Sequence, residues 1–227
     1  MAKTKYDQMI DLYRGRDIPR ALVLGLIKAE SNFKETHVNR APDAAGGGPK
    51  VGLMQPSKIA LKEALDVDTV QESMLKNPVD NIRIGITILN EFLKRLRADF
   101  PAAFDRPLEA DANAAALLVH AYTLGYAYTA NLLRSSKTTS YRALANAHPT
   151  ERGIARKWPE RVLSAARDYG YTLAGGAAVG PVLPPGPGPG PGQRPSQAKP
   201  GSALPWILGA AAVGGLLFFA TKQRRRA

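Results

Sequence analysis

The sequence predicts an all-α globular domain followed by an extended tether and one membrane-spanning helix. Up to about residue 171, apolar and polar residues recur at the spacing of amphipathic helices. Residues 173–200 are rich in Gly, Pro and Ala, and residues 203–221 contain no charged side chain. These changes in composition predict four parts: the domain at 1–172, a Gly/Pro-rich linker at 173–202, the span at 203–221 and a basic tail at 222–227.

Helical periodicity predicts six helices in the domain. Asp17 and Pro19 are typical of a helix start, and Pro159 is interpreted as lying near the start of the last helix. In the longest helix, Ile82 and Ile86 belong to one apolar face. The predicted helices cover residues 6–13, 17–31, 57–65, 81–96, 113–124 and 158–169.

Glycines and a proline at residues 46–49 interrupt the helical pattern. No run of alternating apolar and polar residues requires a sheet, although a small β element is compatible with the loop at 36–54. Repeated Pro and Gly in the linker predict an extended, unpacked chain. Residues 203–221 are long enough to cross about 30 Å of hydrocarbon as a helix, which we prefer to a buried terminal helix because a Pro-rich linker precedes it and KQRRR follows it.

Composition narrows the classes of partner. The net charge of +12 favours an anionic partner such as nucleic acid, anionic lipid or an acidic wall polymer. No acid follows Asp168, while six basic residues do, so half of the net charge lies outside the domain. This weakens a nucleic-acid interpretation of the domain. The absence of cysteine excludes disulfides and thiolate metal sites.

The stretch LVLGLIKAESNF, residues 22–33, is apolar almost all round and then ends on Glu30. A helix of this kind lies centrally in its domain, so its last turn lies at the rim of the core and Glu30 is partly desolvated. The negative end of the helix dipole acts at the same place. Both effects raise the pKa of the Glu30 carboxyl, as a general acid near neutral pH requires. Position alone nevertheless favours a glutamate that simply points into water.

Five segments occur in order along the domain: AESNFKETHV, VGLMQP, NPVDNIRIGITIL, AYTLG and WPERVLSAARDYGY. Together they resemble the catalytic domain of bacterial and phage lytic transglycosylases, in the soluble-transglycosylase branch of the goose-type lysozyme superfamily. The resemblance covers roughly the first three quarters of the chain and implies a lysozyme-like α-helical fold. With this resemblance, we expect Glu30 to be catalytic rather than a glutamate that only points into water.

The resemblance implies roles for seven residues. Glu30 is implied as the sole catalytic acid and base, and Ser31 is placed with the substrate-binding residues, supporting the local structure. Tyr122, in the AYTLG segment, is implied to hold Glu30 or the substrate. Met54 is implied to touch a sugar face and Gln55 to hydrogen-bond the substrate. The full segment implied to line the sugar cleft is Gly52, Leu53, Met54 and Gln55.

The chain departs from the family pattern at two places. Thr123 and Leu124 stand where the family has Asn and Ala. Pro56 follows Gln55 directly, whereas the family more often has two residues before its proline. The acid itself is untouched by either change. Met54 and Tyr122 also fit as plain core residues, and Gly85 fits close helix packing rather than chemistry.

The implied reaction cleaves the β-1,4 bond from N-acetylmuramic acid to N-acetylglucosamine. Glu30 protonates the leaving oxygen and then takes the proton of the muramoyl C6 hydroxyl, which closes a 1,6-anhydro ring. Two alternatives stay open. Another acid such as Glu35, Asp43 or Glu63 could position a water and make a hydrolase, or the cleft could be inactive and only hold peptidoglycan.

Other chemistry finds little support in the sequence. GGGPKVG lacks the spacing and the Ser or Thr of a phosphate loop. His37, His120 and His148 are scattered, with no pair at metal-ligand spacing. We therefore expect no cofactor and no metal.

The expected setting is a membrane beside a bacterial wall. Residues 1–17 lack the apolar core of a signal peptide, and an enzyme of this kind with a C-terminal anchor suits a bacteriophage virion protein that opens the wall for genome entry. We expect a single-pass protein in a virion membrane or host inner membrane, with the domain facing the wall. Expected partners are peptidoglycan strands, the membrane, virion proteins, and anionic lipid or DNA at the basic tail.

Overall fold

The computed structural model describes residues 3–40, 49–147 and 152–172, which form helices around a shared apolar core. The predicted predominance of helix is confirmed in this part of the chain, and the small β element that the sequence left open is present in the loop at 36–54. The linker at 173–202, the span at 203–221 and the tail at 222–227 lie outside the described residues. Within the described ranges, no helix is both long and apolar enough to cross a membrane.

The described elements follow one another with short connections. A two-stranded antiparallel hairpin, β1 (Val38–Asn39) and β2 (Lys50–Val51), pairs Val38 with Val51. Two short 3-10 turns, Pro101–Ala103 and Leu108–Ala110, connect the fifth helix to the sixth. The α-helices are α1 (Asp7–Tyr13), α2 (Arg20–Ser31), α3 (Lys58–Leu65), α4 (Glu72–Lys76), α5 (Pro78–Asp99), α6 (Ala112–Leu124), α7 (Tyr126–Ser136), α8 (Tyr141–Ala147) and α9 (Arg152–Arg167).

Five of the six predicted helices begin and end within three residues of their predicted positions. The prediction for the last helix was wrong at its start, because α9 begins at Arg152 and carries Pro159 in its interior. An interior proline costs about 3 kcal/mol of helix stability. Val162, Leu163 and Ala166 are buried on the same helix, and this packing offsets that cost. The sequence analysis missed α4, α7 and α8.

Helix α6 lies at the centre of the domain. Every residue from Ala114 to Leu124 is buried, and the helix contacts α3, α5, α7, α8 and α9. Its start is fixed by Asp111, whose carboxylate accepts hydrogen bonds from the backbone N–H groups of Asn113 at 2.8 Å and Ala114 at 3.0 Å. A helix apolar on all sides is stable only when it is surrounded in this way.

Helices α2 and α9 approach each other unusually closely at Gly25. A β-carbon at this position would lie 2.6 Å from the carbonyl oxygen of Val162 and 2.7 Å from the β-carbon of Ala166. Only glycine permits this backbone separation. The contact brings the carboxyl end of α2 beside the earlier turns of α9.

Asn81 joins the hairpin to the long helix α5. Its side-chain oxygen accepts from the backbone N–H of Met54 at 2.7 Å, and its amide donates to the carbonyls of Val51 at 2.9 Å and Leu75 at 2.8 Å. The side chain is completely buried. One amide therefore satisfies three backbone groups from separate segments, and the segment that follows the hairpin is held against α5.

We expect Asn81→Ala to lower the free energy of unfolding by at least about 3 kcal/mol, because three buried backbone groups lose their partner and each costs about 1–3 kcal/mol. Urea denaturation followed by circular dichroism measures the change. Asn90→Ala on the same helix is the matched control and should change stability by less than about 1 kcal/mol. Equal effects of the two substitutions would contradict the joining role of Asn81.

Candidate active site

Glu30 lies in the last turn of α2, as the sequence predicts, and its side chain is half-buried. Asn32 caps the carboxyl end of the helix: its backbone is left-handed with φ 51°, and its N–H donates to the carbonyl of Lys28. The indole Nε1 of Trp158 donates a hydrogen bond to Glu30 Oε1 at 3.1 Å. The carboxylate is therefore held by a donor from α9, the helix that packs against α2.

Tyr122 approaches the same place from α6. Its side chain is 1% exposed, and its hydroxyl donates to the backbone carbonyl of Met54 at 2.9 Å. Burial raises the pKa of the Tyr122 phenol well above its ordinary value, and the negative charge of Glu30 acts in the same direction. Tyr122 therefore stays protonated, and its hydroxyl ties the central helix to the segment after the hairpin.

Ser31 supports the end of α2 from within the helix. Its hydroxyl is buried and donates to the carbonyl of Ile27 at 3.1 Å. This bond agrees with the supporting role that the family resemblance implies. A contact between Ser31 and substrate stays a prediction.

The segment at residues 52–55 is packed tightly under the hairpin. Gly52 has φ 85°, and a β-carbon there would lie 2.1 Å from the carbonyl oxygen of Leu75, so no other residue fits. The side chains of Leu53 and Met54 are completely buried. Met54 packs on Gly85, where a β-carbon would lie 2.4 Å from its sulfur. Close packing at Gly85 is thus confirmed, whereas a contact of Met54 with a sugar stays a prediction.

Gln55 has a left-handed backbone with φ 50° and is 1% exposed. Its amide nitrogen donates to the carbonyls of His37 at 3.0 Å and Gly52 at 2.7 Å. Since both partners are acceptors, they fix which end of the amide is nitrogen. The side-chain oxygen is buried without a hydrogen-bond partner among the described residues. The predicted bond from Gln55 to substrate remains untested.

Two of the acids that could make a hydrolase are engaged elsewhere. Glu35 accepts hydrogen bonds from Lys5 and Tyr6. These bonds hold the pKa of its carboxyl below the ordinary value, and the bond from Lys5 has the larger effect. Glu63 accepts from the backbone N–H of Tyr126 at 2.5 Å at the start of α7. Asp43 lies outside the described residues. A catalytic role of Glu30 stays a prediction.

The described residues contain no candidate metal site. No three His, Cys, Asp or Glu side chains there are grouped so that they could hold a metal ion. His120 is buried, and its Nδ1 lies 2.9 Å from the hydroxyl of Thr129, which itself donates to the carbonyl of Gly125. This places His120 in a core hydrogen-bond network. His148 lies outside the described residues.

Trp158 is the site residue that the sequence analysis missed. It lies 128 positions from Glu30 in the chain, so no local pattern pairs the two. Its ring also faces the guanidinium of Arg161, which lies 5.1 Å from the ring centre. The only available signal was its position within the last segment of the family resemblance.

Comparison with known families supports the resemblance. The family model described as the transglycosylase SLT domain matches residues 10–145, which is more than half of the chain. The match includes Glu30, the segment at 52–55 and Tyr122, whereas Trp158 lies beyond its end. No curated protein matches the chain.

We expect Trp158→Phe to lower kcat on peptidoglycan about tenfold while KM changes little. The substitution keeps an aromatic ring but removes a hydrogen bond to a charged group, which is worth about 1.5–3 kcal/mol. Turnover assays measure kcat and KM, and thermal melting shows whether the variant is folded. Arg161→Gln is the control, since it changes the neighbouring charge and leaves the indole donor. An unchanged kcat in a folded Trp158→Phe protein would show that the indole does not position Glu30.

Proposed function

The chain belongs to the transglycosylase SLT domain family, and from this premise we propose that it is a peptidoglycan lytic transglycosylase. It cleaves the β-1,4 bond between N-acetylmuramic acid and N-acetylglucosamine and leaves 1,6-anhydromuramoyl ends. The observation that carries the proposal is the position of Glu30: half-buried at the end of α2, hydrogen-bonded by Trp158 and electrostatically coupled to Tyr122.

One carboxyl group is enough for this reaction. In its protonated form Glu30 donates to the glycosidic oxygen, and the bond to the leaving sugar breaks. The acetamido group of the substrate supports the oxocarbenium-like centre. Glu30, now ionised, takes the proton of the C6 hydroxyl, whose oxygen attacks the anomeric carbon. This proton from the C6 hydroxyl regenerates the protonated form of Glu30, and no water is consumed.

The surrounding residues fit this double role. Trp158 holds one oxygen of the carboxylate in place, and Tyr122 with Asn81 holds the backbone of Met54. A carboxylate whose position is fixed before the substrate arrives loses less entropy in the reaction. The competing hydrolase needs a second acid that positions a water, and both Glu35 and Glu63 are already hydrogen-bonded to other groups.

We further propose that the enzyme is anchored in a membrane and opens the wall locally during phage genome entry. The support comes from the sequence: residues 203–221 are uncharged, Trp206 lies near one end, and Lys222 with three arginines follows the other. The Gly and Pro content of residues 173–202 suits a tether between the domain and the span. The arginine-rich tail suits contact with anionic lipid or DNA, and virion proteins are the proposed neighbours.

The proposed reaction is tested by digesting purified peptidoglycan and analysing the muropeptides by mass spectrometry. We expect 1,6-anhydro ends from the unchanged protein and at least a hundredfold slower release from Glu30→Gln, since general acid catalysis contributes about 10²–10⁴ in rate. Glu91→Gln, an isosteric change on the surface of α5, is the matched control. Reducing ends instead of anhydro ends would establish the hydrolase, and binding without cleavage would establish the inactive binding protein.

The anchor is tested with sealed inverted membrane vesicles from expressing cells. The basic residues after the span predict that the tail stays on the cytoplasmic side, so added protease should remove the tail and spare the catalytic domain. Replacing Lys222 and the three arginines by glutamine should abolish this bias. Digestion of the domain would refute the orientation, and recovery of the intact protein in the soluble fraction would refute the anchor.

A further inference from the structure

Pro159 lies near the middle of α9, where it is buried and has helical residues on both sides. A proline has no backbone N–H, so it cannot donate to the carbonyl four residues earlier, and its ring crowds that turn. In α9 this carbonyl belongs to Ala155. Pro159 therefore divides α9 into an earlier part, residues 152–158, and a later part, residues 160–167, which are joined by one hydrogen bond fewer than in a regular helix.

Two contacts between α9 and α2 lie on opposite sides of this proline. The later part of α9 packs on Gly25, at Val162 and Ala166. The earlier part carries Trp158, whose indole Nε1 donates to Glu30 at 3.1 Å. Sharp bends in helices are usually found at prolines, and a change of about 20° in such a bend moves a group about 6 Å from the hinge by about 2 Å. A displacement of this size breaks a hydrogen bond.

Pro159 also acts on Trp158 directly, because the two residues are adjacent in the chain. The Cδ group of a proline crowds the N–H and the β-carbon of the preceding residue and restricts its backbone. Trp158 is half-buried, and its ring faces the guanidinium of Arg161. An indole whose backbone is restricted in advance loses less freedom when it binds the carboxylate.

Burial alone does not account for a proline at this position. Proline is the residue that a helix interior tolerates least, and alanine or valine would fill an apolar space without losing the backbone hydrogen bond. Residues that break a local rule of this kind are expected at functional sites. The functional group beside Pro159 is the indole of Trp158, which binds the acid.

We propose that Pro159 is a positioning residue, which fixes the direction of the earlier part of α9 so that the indole of Trp158 meets Glu30. The inference rests on the proposed function and extends it to the residue that orients the donor of the acid. The feature of Pro159 that matters is its missing N–H rather than its volume. The position of the Glu30 carboxyl during both proton transfers depends on this proline.

The test compares Pro159→Ala and Pro159→Val, which both restore the N–H, although only valine keeps most of the volume. We expect both to accelerate solvent exchange of the Trp158 indole N–H about tenfold, because its hydrogen bond is lost. Nitrogen-15 NMR of the full-length protein measures this exchange, and Trp158→Phe identifies the signal. Pro101→Ala, at an exposed proline outside the α-helices, is the matched control and should leave the exchange unchanged. Unchanged exchange in both Pro159 variants, an effect confined to Pro159→Ala, or unfolding of both variants would overturn the positioning role.

Cleavage of peptidoglycan gives a second readout. We expect Pro159→Val to lower kcat about tenfold while KM changes little. In the Trp158→Phe background the same change should have no further effect, since two residues that act through one hydrogen bond are not additive. Equal losses of kcat in the two backgrounds would show that Pro159 acts without Trp158, and would overturn the proposal. Failure of the proposed function appears differently: the unchanged protein then releases no anhydro ends, while the effect of Pro159→Val on indole exchange persists.

Discussion

The close contact of α2 with α9 is the constraint on which the rest of the site depends. Gly25 lets the two backbones approach to a distance that any side chain would prevent. This contact sets Trp158 within hydrogen-bond distance of Glu30. The central helix α6 then supplies Tyr122 from a third direction. The acid is carried by α2 and held by a donor from α9, two helices that pack against each other, so its geometry follows from the core rather than from a flexible loop.

Much of the fold was predictable because local patterns determine it. Apolar periodicity gave the bounds of α2, α5 and α6 to within three residues, and the position of Glu30 in the last turn of α2 followed from the length of that apolar run. The remainder depends on contacts that no local pattern contains. Pro159 is read as a helix start, yet burial of its neighbours carries α9 past it. Likewise, Asn81 looks like an ordinary polar residue until Met54, Val51 and Leu75 surround it.

The segment at 52–55 shows how a sequence motif can describe packing and chemistry together. Gly52 and Gly85 are required by the space around them, and Met54 fills the space that Gly85 leaves. The backbone of Met54 in turn binds both Asn81 and Tyr122. A residue whose side chain is completely buried can therefore matter to the cleft through its main chain. Family resemblance identifies such residues but does not distinguish a contact with substrate from a support beneath it.

The indole of Trp158 also makes the site optically visible. The chain has two tryptophans, and the other, Trp206, lies in the predicted span, far along the sequence from the domain. Indole emission responds to the polarity and charge of its surroundings. The ring nitrogen of Trp158 is hydrogen-bonded to Glu30, and the guanidinium of Arg161 faces the ring. Changes in the ionisation of Glu30 or in the filling of the cleft therefore alter the fluorescence spectrum. The protein carries its own reporter, without any added label.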